Sequence, residues 1–209
     1  MLPVRTIRFS SMLHSPLSSL SWAAIDFESA GAAPGETDQP IQVGIVRVDS
    51  LFGEEELFTS YIACDHPVHW SASRVHGITT AALSGAPSML SLWGEYRRLL
   101  SGCVVVGHNP STEQRYLRAF PAHGFGPWLD TLALARHCIP SLSDYSLGSV
   151  CTALRVVKEV SRLVPGKSWH HALYDAVGSL AVLRAIVQGL QLEERPLSTL
   201  SFAVKGGRA

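Results

Sequence analysis

Cys103-Val-Val-Val-Gly107 is an unbroken apolar run dominated by a β-branched residue. Such a run does not alternate between core and solvent, so it predicts a strand buried on both faces, in the middle of a sheet covered by helices on each side. Upstream, Trp22-Ala-Ala-Ile25 reads as a buried strand ending on Asp26, and Ile41-Gln-Val-Gly-Ile-Val-Arg-Val48 alternates with Ile41, Val43 and Ile45 on one face. Glu56 to Ala63 is a third strand, and residues 30–40, rich in Gly, Ala, Pro and acids, form a loop. Three strands with short links predict an antiparallel meander. Downstream the rhythm changes. Helical spacing covers Pro87 to Leu100, Thr112 to Ala122, Leu132 to Cys138, Ser146 to Leu154 and His171 to Gln188, with a brief strand at Trp128-Leu-Asp130. Strands first, then strand–helix alternation, predict an α/β domain with a central, mixed, five-stranded sheet flanked by helices.

The length of 209 residues suits one domain. The expected division is an N-terminal extension over 1–20, the domain over 21–190 and a loose C-terminal tail over 191–209. With 46% hydrophobic and 16% charged residues the chain can bury a substantial core, which excludes a disordered polymer. No apolar run approaches the roughly 20 residues of a membrane-spanning helix, so no membrane partner is expected. The formal net charge of zero excludes a histone-like binder that holds nucleic acid by bulk charge. The charges are unevenly spread, with 4 Lys/Arg against 9 Asp/Glu in residues 1–94 and 9 against 5 in residues 95–167. A metal site beside a phosphate-binding surface produces that asymmetry, and so does chance. The four cysteines, Cys64, Cys103, Cys138 and Cys151, are too widely spaced for a zinc site or a small disulfide framework and predict free thiols. Arg5, Arg8 and several serines without any acid give residues 1–20 an organelle-targeting composition, with Met12 as a second candidate start. Cytoplasm is the default location.

Three short segments carry chemistry. In Asp26-Phe-Glu28 a strand puts both carboxylates on one face and Phe27 on the other. Two adjacent like charges are costly unless a cation holds them, and hard cations such as Mg²⁺ and Mn²⁺ take oxygen ligands. Solvated strand-end acids would give the same pattern. Gly107-His-Asn-Pro-Ser-Thr-Glu113 follows the buried strand and opens a helix, which supplies either a plain helix start, with Ser111 and Gln114 as a capping box, or a third carboxylate at a strand's carboxyl end. In His170-His-Ala-Leu-Tyr-Asp175 the first histidine and the acid would lie about 140° apart within one helix. They converge only if His170 precedes the helix and Asp175 sits in its first turns.

Together and in this order the segments resemble the DEDDh family of 3′–5′ exonucleases, which includes the proofreading subunit of bacterial DNA polymerase III. Ile25-Asp-Phe-Glu-Ser-Ala-Gly31 resembles the family's first motif, Val106-Gly-His-Asn109 opens the second, and His170-His-Ala-Leu-Tyr-Asp-Ala176 matches the third. Val75-His-Gly-Ile-Thr79, Leu129-Asp-Thr-Leu132 and Tyr145-Ser-Leu-Gly148 resemble its connecting signatures, so the likeness covers about residues 22–188. One position departs. The second motif of the family ends in Asp preceded by an aromatic, where this chain has Thr112 and Glu113.

The resemblance implies a ribonuclease-H-like fold and a two-metal phosphodiesterase. In it Asp26, Glu28, Glu113 and Asp175 would hold two Mg²⁺ or Mn²⁺ ions, and His170 would act as general base on the attacking water. Neutral imidazole suits that role, and activity is expected to fall in mildly acidic buffer. The implied partner is a single-stranded 3′ end of DNA or RNA, with Phe27, Ser29, His76, Asn109 and Lys167 as candidate substrate contacts. Asn109 and His108 are otherwise turn-shaping, His76 a turn cap, and His171 a helix-start residue. Arg155, Lys158 and Arg162, with Lys167, form either a phosphate-tracking surface or a solvated helix face. Trp22, Trp128 and Trp169 are packing groups. Because Glu113 is one methylene longer than the family's Asp, a catalytically weakened module that binds nucleic acid or protein is the alternative, and a phosphoesterase of nucleotides or very short oligomers is a third reading. A homodimer or a partner protein is left open.

Overall fold

The computed structural model describes residues 9–205; Arg5 and Arg8, which set the targeting-like composition, lie outside them. Six strands form one open mixed sheet: β1 (Trp22–Ser29), β2 (Pro40–Val48), β3 (Glu56–Tyr61), β4 (Val104–Gly107), β5 (Trp128–Asp130) and β6 (Val204–Lys205). Their spatial order is β3-β2-β1-β4-β5-β6. The first three make the expected antiparallel meander, and β4 and β5 follow parallel to β1 and to each other. The sixth strand adds to the five that the sequence predicts, pairing antiparallel with β5. Two residues are too few to carry a period-two signal.

The two flanks hold each other. Helix α1 (Phe9–Leu13) brings Met12 into the core, Leu17 follows it, and Leu197, Leu200 and Ala203 pack into the same cluster. Leu17 N–H donates to Arg195 O at 2.9 Å and Ser18 N–H to Glu193 O at 2.8 Å. The segment read as a loose tail is therefore packed as far as β6.

Seven further α-helices are α2 (Trp70–His76), α3 (Trp93–Leu100), α4 (Ser111–Leu117), α5 (Thr131–Cys138), α6 (Leu147–Ala153), α7 (Val157–Leu163) and α8 (Ala172–Gly189). The sequence gives no helical signal for α2, which buries none of its residues, and α7 buries only Val160. An apolar stripe is what makes a helix readable; α2 lacks one, and in α7 it is reduced to Val157, Val160 and Leu163 packed on the core. Strand period sorts the core into two layers. Ala23, Ile25, Phe27, Val43, Ile45 and Val105 face Tyr96, Leu99 and Leu100 of α3 and Tyr116 and Leu117 of α4. Trp22, Ala24, Val46, Val48, Val104 and Val106 face α5 to α8. Asp26 and Glu28 continue the second row, so they emerge on the side that α8 covers.

One glycine decides how closely α8 approaches. Gly44 pairs with Asp26 in the β1–β2 register, and a Cβ there would lie 2.1 Å from the Leu173 nitrogen and 2.2 Å from the Ala172 carbonyl carbon. The first turn of α8 thus rests on bare backbone beside Asp26. All four cysteines are free, as expected. No described helix is long and apolar enough to cross a membrane.

Candidate active site

β1 runs on to Ser29 rather than ending on Asp26, because β2 pairs with it as far as Ser29↔Pro40, with a bulge between Glu28 and Ser29. Asp26 and Glu28 are held inside a paired strand as a result. Phe27 points away: it is 7% exposed, with ring centroids 6.2 Å from Tyr96 and 5.5 Å from Tyr116, both edge-on. Of the expected substrate contacts it is the one whose side chain is closed off, leaving only its backbone to reach a ligand. Glu113 sits in the first turn of α4, directly beyond the carboxyl end of β4, and is 7% exposed. The capping box read at Ser111 and Gln114 does not form; Pro110 precedes the helix without any side-chain cap.

His170 and Asp175 meet in the way their spacing demands. His170 lies before α8 with φ +67°, and Asp175 occupies the helix's first turn. The His170 N–H donates to Asp175 Oδ2 at 3.1 Å. Potential ligand atoms of Glu28, His170 and Asp175 all lie within 4.8 Å of one another.

Burial and mutual repulsion dominate the electrostatics. Burial, then the charges of Glu113, Asp175 and Glu28, push Asp26 well above the usual carboxylate range. Burial, then Asp175 and Glu113, raise Glu28 to about 7. Burial likewise brings Asp175 to about 7, and brings Glu113 to about 7 with a smaller push from Asp130. Glu113 Oε2 and Asp175 Oδ1 are buried without a hydrogen-bond partner. A buried carboxylate oxygen with no donor is costly, and four such groups cannot ionise together unless positive charge is supplied. An all-oxygen donor set with unsatisfied lone pairs fits hard divalent cations of the Mg²⁺ and Mn²⁺ kind.

Several residues outside the motifs hold this arrangement. Gln42, opposite Glu28 on β2 and 3% exposed, accepts the Ala172 N–H through Oε1 at 3.0 Å and places Nε2 3.3 Å from His171 Nε2. It thereby caps α8 from the sheet, a task the preceding side chains do not perform. Asp130 caps α5 and also accepts the Asn109 N–H at 3.0 Å, which fixes Asn109 at φ +63° in the turn before α4. An aspartate at a strand end followed by a helix is an N-cap signal, so Asp130 was open to sequence reading. Gln42 and Gly44 were not, since their partners lie about 130 residues away.

The remaining candidates fall into place around them. His76 accepts the Ile78 N–H at Nδ1 and donates from Nε2 to Ser29 O, so it caps its turn and clamps the end of β1. Burial lowers its pKa, and His170 lies near enough to lower it further. His108 bridges Thr131 Oγ1 and Tyr145 O, a turn-shaping role. Asn109 and Lys167 are exposed, as are Arg155, Lys158 and Arg162. His171 stands at the N-cap of α8, as its helix-start reading requires. Trp22 and Trp128 are buried, and Trp169 lies edge-on to Tyr174 at 4.8 Å against Gly148 and Gly178.

A mixed α/β sheet gathers four carboxylates and a histidine beside the end of its acid-bearing strand, a donor set that fits divalent cations. Residues 23–183 match the exonuclease family RNase_T, and the chain belongs to that family. It is 25% identical over 187 residues to a DNA polymerase III subunit epsilon-like protein of Rhodobacter capsulatus, a match that takes in 87% of this chain and 26% of that protein. The chain thus spans about a quarter of that relative's length. Its fold superposes on Exonuclease X in complex with 5′ overhanging duplex DNA with a TM-score of 0.65, at 24% identity, over 86% of this chain and 99% of that one. The nuclease domain of 3′hExo, a DEDDh family member bound to rAMP, gives a TM-score of 0.63 at 13% identity, over 90% of this chain and 97% of that one. The resemblance to the exonuclease family and the ribonuclease-H-like architecture are both borne out.

Proposed function

We propose that this chain is a divalent-metal-dependent 3′–5′ exonuclease that removes nucleotides from single-stranded ends of DNA or RNA. The observation that carries the reading is the convergence of Asp26, Glu28, Glu113 and Asp175 on one spot with two buried oxygens unpartnered. Family membership and the nucleic-acid complexes among its structural neighbours support it.

Asp26, Glu28 and Asp175 would hold two cations of the Mg²⁺ or Mn²⁺ type, with Glu113 as the fourth carboxylate. Bound there, the ions supply positive charge to the phosphate and to the departing 3′ oxygen. The protein's own groups supply the rest. His170, exposed and placed ahead of α8, takes the proton from the attacking water. Its backbone N–H fixes one Asp175 oxygen, and the other is buried without a hydrogen-bond partner. The clamp of His76 on Ser29 steadies the strand end over which a terminal nucleotide would lie, and Asn109 and Lys167 are exposed for phosphate or sugar contacts. Glu113 is buried among the other acids, which disfavours the weakened-module alternative: a decayed site has no reason to keep four mutually repelling carboxylates.

Digestion of single strands labelled at the 5′ end tests the reading, in Mg²⁺, in Mn²⁺ and in EDTA. A ladder descending one nucleotide at a time in either metal and absent in EDTA is expected. Release of the 5′ label as a mononucleotide in the first turnovers, or a ladder that persists in EDTA, would contradict it.

A further inference from the structure

The carboxylate site is not the only place where the fold gathers metal-binding groups. The β1–β2 loop and the segment entering α2 bring Glu36, His66 and His69 together, with one donor atom of each within 4.8 Å of the other two. Glu36 Oε2 lies 2.8 Å from His69 Nε2 and accepts the Ala33 N–H at 2.9 Å, which orients the carboxylate. The two imidazoles meet edge to face, centroids 5.9 Å apart. The backbones are tied across the same gap. His69 N–H donates to Ala30 O at 2.8 Å, and Gln39 both accepts the Asp65 N–H at 3.1 Å and donates to Asp65 Oδ2 at 3.3 Å.

We propose that Glu36, His66 and His69 form a second site, for a zinc-class transition cation, that clips the β1–β2 loop to the start of α2. Two imidazoles and one carboxylate are a zinc donor set with the fourth position open to water, whereas Mg²⁺ prefers oxygen donors and retains its own waters. Bonds of about 2.0–2.2 Å around a tetrahedral ion put its ligand atoms roughly 3.3–3.6 Å apart, so side-chain rotation of about an ångström closes the set. All three groups are at least partly open to solvent, which gives an ion its entry. The competing state is visible. His66 places Nδ1 3.1 Å from Pro67 O and Nε2 3.3 Å from Thr37 O, contacts that favour its protonated form. The clip anchors the loop leaving the strand that carries Asp26 and Glu28, and its two imidazoles set it apart from the carboxylate site, where His170 is the one nitrogen donor.

The test is a calorimetric titration of the full, metal-stripped chain with Zn²⁺ in a large excess of Mg²⁺, paralleled by Co²⁺ followed in the visible region. One equivalent of Zn²⁺ binding despite Mg²⁺, and intense visible bands of four-coordinate cobalt, are expected. His66→Ala and His69→Ala should each weaken zinc by at least about tenfold while melting cooperatively and still shortening 3′ ends in Mg²⁺. Absence of the cobalt bands in the parent protein, or zinc binding in the two variants equal to the parent's, would overturn the proposal. The cobalt measurement needs no variant, so a misfolded substitution does not decide the matter.

Discussion

Glu113 is the residue where the chain departs from its family, and its environment makes that departure measurable. Burial raises its pKa from 4.5 to about 7, so the folded, metal-free protein holds a proton there that the unfolded chain has released. Such a group favours folding below the unfolded value, and its contribution is lost as pH rises through about 7. In EDTA, Glu113→Gln should therefore match the parent near pH 4 and exceed it by about 1–3 kcal/mol at pH 8, read from denaturant melts. A difference that shrinks with pH would show that burial does not disfavour the Glu113 charge where it sits. The same substitution should lower exonuclease rate by about 10²-fold or more, because it removes charge from the proposed ion site. His170→Ala should also slow turnover, by about 10²-fold or more. A folded variant turning over at the parent's rate would exclude His170 as the base.

At the scale of elements, α8 and the strands beneath it matter most. The meeting of Asp26, Glu28 and Asp175 with His170 was legible because a strand's period and a helix's angle dictate where neighbours in sequence must point. What seats α8 against the sheet was not legible, because it rests on contacts between β2 and residues about 130 positions later. Gly44→Ala would force its new methyl into the helix backbone, and about 1–3 kcal/mol of stability should be lost along with most of the activity. Gln42→Ala leaves the Ala172 N–H buried without a partner. A cost of about 1–3 kcal/mol is expected, with kcat falling while KM holds, since Gln42 touches the helix and not the substrate. Equal kcat in Gln42→Ala and parent would mean that α8 keeps its seat without this cap. The helix that the sequence missed, α2, presents Trp70 at 73% exposure with the Arg74 guanidinium 5.0 Å from its ring, near the His76 clamp. An exposed aromatic backed by a cation is a stacking platform for a base, so Trp70→Ala should raise KM for oligonucleotides and leave kcat nearly intact. An unchanged KM would place α2 outside the substrate track.

For the whole molecule, the central run at Cys103–Gly107 anticipated a sheet covered on both faces, and the two core layers follow from it. The edges were harder to read. β6 and α1 are short, and they are ordered by packing on each other's neighbours rather than by any periodicity of their own. The sheet brings the acids of β1, the first turn of α4 and the start of α8 to one spot from positions spread over about 150 residues, and the central claim is that this spot performs the hydrolysis. The most direct measurement is the rate of shortening of a 5′-labelled single strand by Asp26→Ala beside the parent, in Mg²⁺ and in Mn²⁺, with both proteins shown to melt cooperatively. A folded variant slowed by about 10²–10³-fold or more is the predicted result. A folded variant that shortens the strand at the parent's rate would place the chemistry elsewhere.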